Sequence, residues 1–244
     1  ALIQKPLKKS TAITTPSYGL KAVVQAAAPD KPVYVIPNGV DPIFRPMDKQ
    51  QARKAIGLDH TGPAALLYGS LDAWVDIAEV LHAVKNIRNT GIDIKLIIVG
   101  FSHAKTHYQK LIAHIKQQGL DKAVVTYPPQ PYEKMPLYIN SADVVISPYR
   151  KTTKNFATPL KIIESLACGK PVVAPQIIEY KIWFKQGIFT YGTISVEDAI
   201  TLALNLSQDK DALIKLSDKI MQRHSWDNIA ENFNYIIKLH NNNY

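Results

Sequence analysis

The run ISPYRKTTKNFATPLKIIESLACGKPVVA, residues 146–174, reads as the end of a buried strand, a basic loop, a short capped helix, a glycine turn and a second strand. Thr158 suits the N-cap and Pro159 the first helical position, where a missing N–H costs nothing. The N–H groups of Leu160 and Lys161 then have no partner inside the helix and can face an anion. Lys161 stands in the first turn, where the helix dipole disfavours a cation; something negative bound there would account for it. Glu164 follows one turn later among Ile162, Ile163 and Leu166. An ordinary amphipathic crossover helix explains the same run about equally well until its neighbours are weighed.

Outward from this run the alternation repeats. Ala64–Tyr68 (AALLY), Ile94–Val99 (IKLIIV), Ala123–Tyr127, Ala142–Ser147 (ADVVIS) and Pro171–Ala174 are short apolar runs, with a weaker strand at Ile188–Tyr191. Helical spacing predicts helices over Gln51–Ile56, Val75–Arg88, Thr106–Gln118 and Tyr132–Asn140, then over 196–206, 209–222 and Trp226–Leu239. Strands written as continuous apolar runs, each followed by a helix, predict an α/β fold: a Rossmann-like parallel sheet with helices on both faces. Ligands of such sheets bind beyond the carboxyl ends of the strands. Gly69, Gly100, Pro148 and the basic loop all fall at that edge.

Ahead of this domain, STAITTPS (10–17), a helix Leu20–Ala28 and PVYVIP (32–37) make a strand–helix–strand unit too short to be a domain. Asn38-Gly39, Pro42 and Pro46 read as a linker. The expected division is therefore 1–37 as the tail of an N-terminal Rossmann-like domain, 38–47 as linker, 48–225 as the main domain and 226–244 as a terminal helix and tail. The start, ALIQKPLKK, is too polar for a signal peptide. The single cysteine, Cys168, excludes an internal disulfide, fits a reducing compartment and reads as a small buried filler. No run approaches the roughly 20 apolar residues of a membrane span. A formal charge of +9, from 29 Lys and Arg against 20 Asp and Glu, suits a phosphorylated substrate or an anionic membrane face. It comes without the interleaved aromatics of a nucleic-acid groove. A plain solvated basic surface explains it equally well.

The sequence carries no GxxxxGK[ST] and no GxGxxG, which argues against P-loop and standard dinucleotide enzymes. GxSxG is missing too. His103, His107 and His114 have helical spacing with no carboxylate arranged among them, so no metal site is expected. Trp74, Trp183 and Trp226 read as packing anchors, and Asp72 and Asp76 as helix caps. What remains resembles the glycosyltransferases of the GT-B fold, group 1 or family four. VIPNGVDPIFRP (35–46) looks like the family's interdomain connection, YGSLDAWVD (68–76) like its first βα turn, ADVVISP (142–148) like the strand before its donor loop and PLKIIESLACGKPVVA (159–174) like its donor-site helix.

That resemblance implies the nucleotide-sugar-binding half of a retaining glycosyltransferase. Glu164 would hold the ribose hydroxyls, and the backbone at Pro159, Leu160 and Lys161 the diphosphate. Arg150 and Lys161 would supply charge, while Gly69 and Ser70 would let the backbone approach. Tyr127, Pro128 and Tyr132 would lie where the base sits, with Tyr132 as readily a core residue. Expected partners are a nucleoside-diphosphate sugar as substrate and a glycan or lipid-linked acceptor in a missing half. No cofactor and no nucleic acid are expected, and the location would be cytoplasmic or at a membrane surface. Three departures stand out. Where the family often has a sugar-contacting Glu this chain has Phe156, and where it often has two phosphate cations it has Ser70 and Val75; Arg150 and Lys161 are expected to compensate. A sugar-nucleotide epimerase of the same fold and a non-catalytic nucleotide-binding or interaction module remain the alternatives.

Overall fold

The computed structural model describes residues 4–71, 75–100, 105–150, 159–176 and 187–241. A helix that the sequence reading did not anticipate comes first, α1 (Gln4–Lys9). Then β1 (Ile13–Thr15), α2 (Tyr18–Ala27) and β2 (Val33–Val35) form a βαβ unit with parallel strands, Ile13 opposite Val33. Ser17 caps α2 by accepting from the Leu20 N–H.

The main unit runs α3 (Lys49–Ala55), β3 (Ala64–Tyr68), α4 (Ile77–Asn89), β4 (Lys95–Val99), α5 (Lys105–Gln117), β5 (Val124–Tyr127), α6 (Met135–Ser141), β6 (Val144–Ile146), α7 (Leu160–Ala167), β7 (Val172–Pro175), β8 (Ile188–Tyr191), α8 (Val196–Leu206), α9 (Lys210–His224) and α10 (Trp226–Asn241). Its six strands form one parallel sheet in the order β5-β4-β3-β6-β7-β8. The α/β expectation is therefore met. Residues of alternate parity face opposite layers: Leu66, Tyr68, Ile97 and Val99 meet α6, α7 and α9, while Ala65, Leu67, Leu96 and Ile98 meet α4, α5 and α8. Both layers are apolar, which is why the strands read as unbroken hydrophobic runs rather than alternating ones.

Strand order reverses between β3 and β6, so their carboxyl ends splay and leave a crevice at the switch point. The loops across that point are stitched together. Val75 bridges Tyr149 in antiparallel fashion, and the Asp76 N–H donates to the Pro148 carbonyl at 2.7 Å. At the other edge of the sheet a buried ion pair fixes α3. Arg53, 1% exposed, donates to the Ser141 carbonyl, the His60 carbonyl and Asp143, and Asp143 also accepts from the Ala64 N–H. Such a group is tolerated because each of its three nitrogens finds an acceptor, one of them a carboxylate.

Several element edges differ from the sequence reading. Asp48 accepts from the Gln51 N–H and starts α3 before the predicted Gln51. Asp76 caps α4 as expected, but the helix starts at Ile77 rather than Val75. The predicted helix from Tyr132 opens as a 3-10 turn, Tyr132–Lys134, with Pro136 in the first turn of α6. Pro159 is the N-cap of α7 (φ −62°, ψ 134°) and not its first helical residue. Thr158, expected to cap it, lies outside the described residues, as do Asp72, Trp74, Phe156, Trp183 and His103. The expected linker 38–47 is packed: Val40 and Phe44 belong to the main core.

Candidate functional site

The site grows from the end of β3. Tyr68 alternates onto the layer of α7, where its buried ring brings the phenol against that helix. The Tyr68 hydroxyl donates to Glu164 Oε2 at 2.9 Å and also lies 2.9 Å from the Lys161 carbonyl. Glu164, 8% exposed, is held by this contact. Burial raises the Glu164 pKa, opposed by the Tyr68 hydrogen bond and the nearby Lys161 ammonium.

Lys161 turns back onto the strand. Its Nζ donates to the Tyr68 carbonyl at 3.1 Å and lies over the rings of Tyr149 and Tyr68, at 5.3 and 5.9 Å from their centroids. Burial pulls its pKa down to about 8, with Glu164 opposing. Val75, standing where a family cation is missing, is therefore not idle: its bridge positions Tyr149, the ring beneath Lys161. Among the described residues no hydrogen bond is made by the Leu160 or Lys161 N–H, as the first turn of α7 requires.

Beside this cluster is a pocket of about 320 Å³ lined by Gly69, Ser70, Gly100, Gln130, Tyr132 and Met135, among others. Two glycines keep its floor open. Gly69 has φ +104°, and a Cβ there would stand 3.2 Å from Lys161 Nζ. Gly100 has φ +135°, and its Cβ would stand 2.1 Å from the Gly69 carbonyl oxygen, so no other residue fits without moving main chain. Tyr132 is 48% exposed at the pocket wall and meets Phe44 edge to face at 5.2 Å. Desolvation, with Glu164 nearby, pushes its phenol up to about 12.

Of the residues singled out in the sequence, the structure brings Gly69, Ser70, Lys161 and Glu164 together, with Tyr132 across the pocket and Pro159 and exposed Leu160 at the mouth of α7. Arg150 is exposed on the loop after β6 and makes no ion pair among the described residues. Tyr127 packs edge to face on Tyr138 at 5.1 Å, and the Pro128 carbonyl accepts from Gln130; neither lines the pocket, whose wall comes instead from Pro129 and Gln130. Sequence reasoning missed Tyr68 and Tyr149. Their position at strand ends beside the switch point was the available signal.

Solved structures share this architecture. A sucrose-phosphate synthase from Thermosynechococcus elongatus superposes with a TM-score of 0.80 at 19% identity, over 97% of this chain and 60% of that one. HepE of Anabaena, solved in complex with UDP-glucose, superposes with a TM-score of 0.74 at 16% identity, over 97% of this chain and 68% of that one. The fold is thus that of the GT-B glycosyltransferases. Within that class the chain belongs to the family described as Glycosyl transferases group 1, whose sequence profile matches residues 48–215. It is 34% identical over 161 residues to a D-inositol 3-phosphate glycosyltransferase of Acidothermus cellulolyticus, covering 62% of this chain and 34% of that protein. It is 25% identical over 234 residues to the lipopolysaccharide 1,2-N-acetylglucosaminetransferase of Salmonella typhimurium, covering 91% of this chain and 60% of that protein. The chain thus spans about a third to three fifths of the curated relatives it matches. Among the described residues no helix is long and apolar enough to cross a membrane.

Proposed function

We propose that this chain is the donor-binding part of a retaining glycosyltransferase that takes a uridine-diphosphate sugar and transfers the sugar to an acceptor held by a further N-terminal domain. The observation that carries the reading is the Tyr68–Glu164–Lys161 cluster at the switch point, next to a pocket floored by two glycines. Uridine as the base is favoured by the UDP and UDP-glucose named in the HepE complexes. Retention follows only from the sequence resemblance. The exposed Phe233, Tyr235, Ile237 and Leu239 on α10 are in keeping with a further domain packed there.

In this reading Glu164, one oxygen already engaged by Tyr68, accepts from the ribose diol. The base lies in the pocket against Tyr132. The diphosphate meets the N–H groups at the start of α7, with the Lys161 ammonium swinging from the Tyr68 carbonyl to a phosphate oxygen. These donors are fixed before reaction, so they stabilise the negative charge that builds on the leaving diphosphate as the glycosidic bond breaks. No metal or other cofactor is assigned a part.

Calorimetric titration with UDP, ADP and GDP tests the assignment. UDP is expected to bind, the other two at least about tenfold more weakly, and Glu164→Ala to cost UDP about 1.5–3 kcal/mol, the worth of hydrogen bonds to a charged group. Absence of binding by all three nucleotides would overturn it.

A further inference from the structure

A second cleft lies at the opposite edge of the sheet, about 15 Å from the donor site by the rise of the intervening strands. It has a volume of about 450 Å³ and lies among α3, the start of α9 and the Cys168–Lys170 turn that ends α7. Its inner wall carries Lys49, Asp143, Cys168 and Lys170; Asp48 and Lys210 are exposed at its rim, and Met47 and Ile214 close one side.

The charges of the inner wall do not balance. Among the described residues Asp143 is the only carboxylate there, and it is already shared by Lys49 at 2.6 Å and Arg53 at 3.1 Å, besides the Ala64 N–H. Lys170 is a third cation beside the same carboxylate. It is half-buried, and its ammonium makes no hydrogen bond or ion pair among the described residues. The Cys168 thiol offers no second negative charge, since burial pushes its pKa up to about 12. At the rim, Asp48 and Lys210 offset one another, and the Asp48 carboxylate is occupied as the cap of α3. Counting Arg53 behind the wall, three cations surround one anion, an excess of two positive charges around a concave, partly desolvated surface. In such surroundings charge is stable only when paired.

We propose that this cleft is an anion-binding site for the phosphate group of a small phosphorylated metabolite. A dianion cancels the excess, Lys170 supplies the ammonium that has no partner among the described residues, and Lys49 and Lys210 flank it. The apolar side formed by Met47 and Ile214 takes the carbon portion of the ligand. The site does not depend on the donor reading, since it shares no residue with it.

Lys170 also gives the site a pH signature. Burial lowers its pKa to about 8; Asp143 and Cys168 oppose that shift, and Lys49 and Arg53 add to it. An anion binds the charged form, so affinity is nearly full at pH 7 and declines as pH rises through about 8. Sulfate is the suitable probe, because its own charge does not change in this range. Calorimetry at constant ionic strength, set with chloride, is expected to show sulfate binding the full chain about tenfold more weakly at pH 9 than at pH 7. Lys170→Met is expected to lose the binding. Lys170→Arg, whose charge does not titrate, is expected to keep it with no decline at pH 9. Lys161 titrates near the same pH, but sulfate bound there would keep its pH dependence in Lys170→Arg. That outcome, or sulfate binding by folded Lys170→Met at the affinity of the unaltered chain, overturns the proposal. Should Lys170→Met not fold, the Lys170→Arg profile decides alone. Inorganic phosphate and glycerol 3-phosphate at pH 7 then identify the source: tighter binding of the glycerol ester supports the metabolite, and equal binding overturns it in favour of the free ion.

Discussion

Glu164 could be picked out of the sequence as an acidic residue in an apolar helix, whereas its partner Tyr68 could not. Tyr68 ends an apolar run and looks like one more core residue; only the crossing of β3 over α7 puts its hydroxyl 2.9 Å from the carboxylate. If Glu164 holds ribose, Tyr68 is a positioning residue that keeps one carboxylate oxygen turned toward the diol. Tyr68→Phe should preserve the packing and weaken UDP by roughly three- to tenfold, the worth of one hydrogen bond. It should leave the affinity of 2′,3′-dideoxy-UDP unchanged, because no diol is then read; an equal loss for both nucleotides would assign Tyr68 a packing role only. Lys161 was legible as a misplaced cation, but its depressed pKa was not, since burial against Tyr149 and the strand is a tertiary effect. Bound diphosphate would hold that ammonium charged. UDP affinity should therefore be constant below about pH 7 and fall about tenfold by pH 9, where the free ammonium is mostly neutral, while the phosphates, with a last pKa near 6, do not change. Lys161→Met should bind UDP more weakly with no such decline, as followed by calorimetry across that range.

Among the elements, strands of the main sheet were legible to within one or two residues because both faces of the sheet are covered, so that apolar runs stop where burial stops; β3 and β8 have the predicted ends, while β6 is shorter than the predicted 142–147. Helix starts were less legible, because a cap is a choice among nearby polar residues. Asp48 captured α3, and Pro159 took the N-cap of α7 instead of the position after it. The buried ion pair was invisible for a different reason. Arg53 in KQQARKA looks like one more charge on a solvated helix, yet with Lys49 it joins α3 to the start of β6. Its burial has a consequence for stability. Asp143→Ala leaves the guanidinium in place without its counter-charge and frees the Ala64 N–H, and should destabilise the chain by about 3–5 kcal/mol in urea unfolding. The double variant Arg53→Met, Asp143→Ala should lose less than the two single variants summed, since the second substitution removes the charge that the first stranded.

On the scale of the whole molecule, the chain leaves the βαβ unit through residues 38–40 and returns toward it through 224–226, and the two passages are tied to each other. The Val40 N–H donates to the His224 carbonyl at 2.8 Å, Val40 forms a bridge with Ser225, and the Trp226 ring lies over Gly39, where a Cβ would stand 2.5 Å from it. His224 Nδ1 donates to the Asn38 carbonyl at 3.0 Å, which places the proton on Nδ1 and leaves the buried Nε2 to receive the second one. Burial lowers the pKa of His224 below its ordinary 6.5, with Arg223 acting in the same sense and the Asn38 contact opposing them. The unfolded or undocked form therefore binds the proton more readily than the native one. By linkage this junction is at full strength above pH 6.5, and its stability is lost as pH falls from there through the lower folded value. Amide hydrogen exchange at Val40, corrected for the intrinsic rate, should show protection that is flat from pH 8 to 7 and declines below about 6. In His224→Gln, which cannot gain a proton but can still donate to Asn38, the decline should vanish. Exchange at Ile97, in the middle of the sheet and away from the junction, should show no such step in either protein; if it follows Val40, the proton acts on the whole fold and not on the crossing.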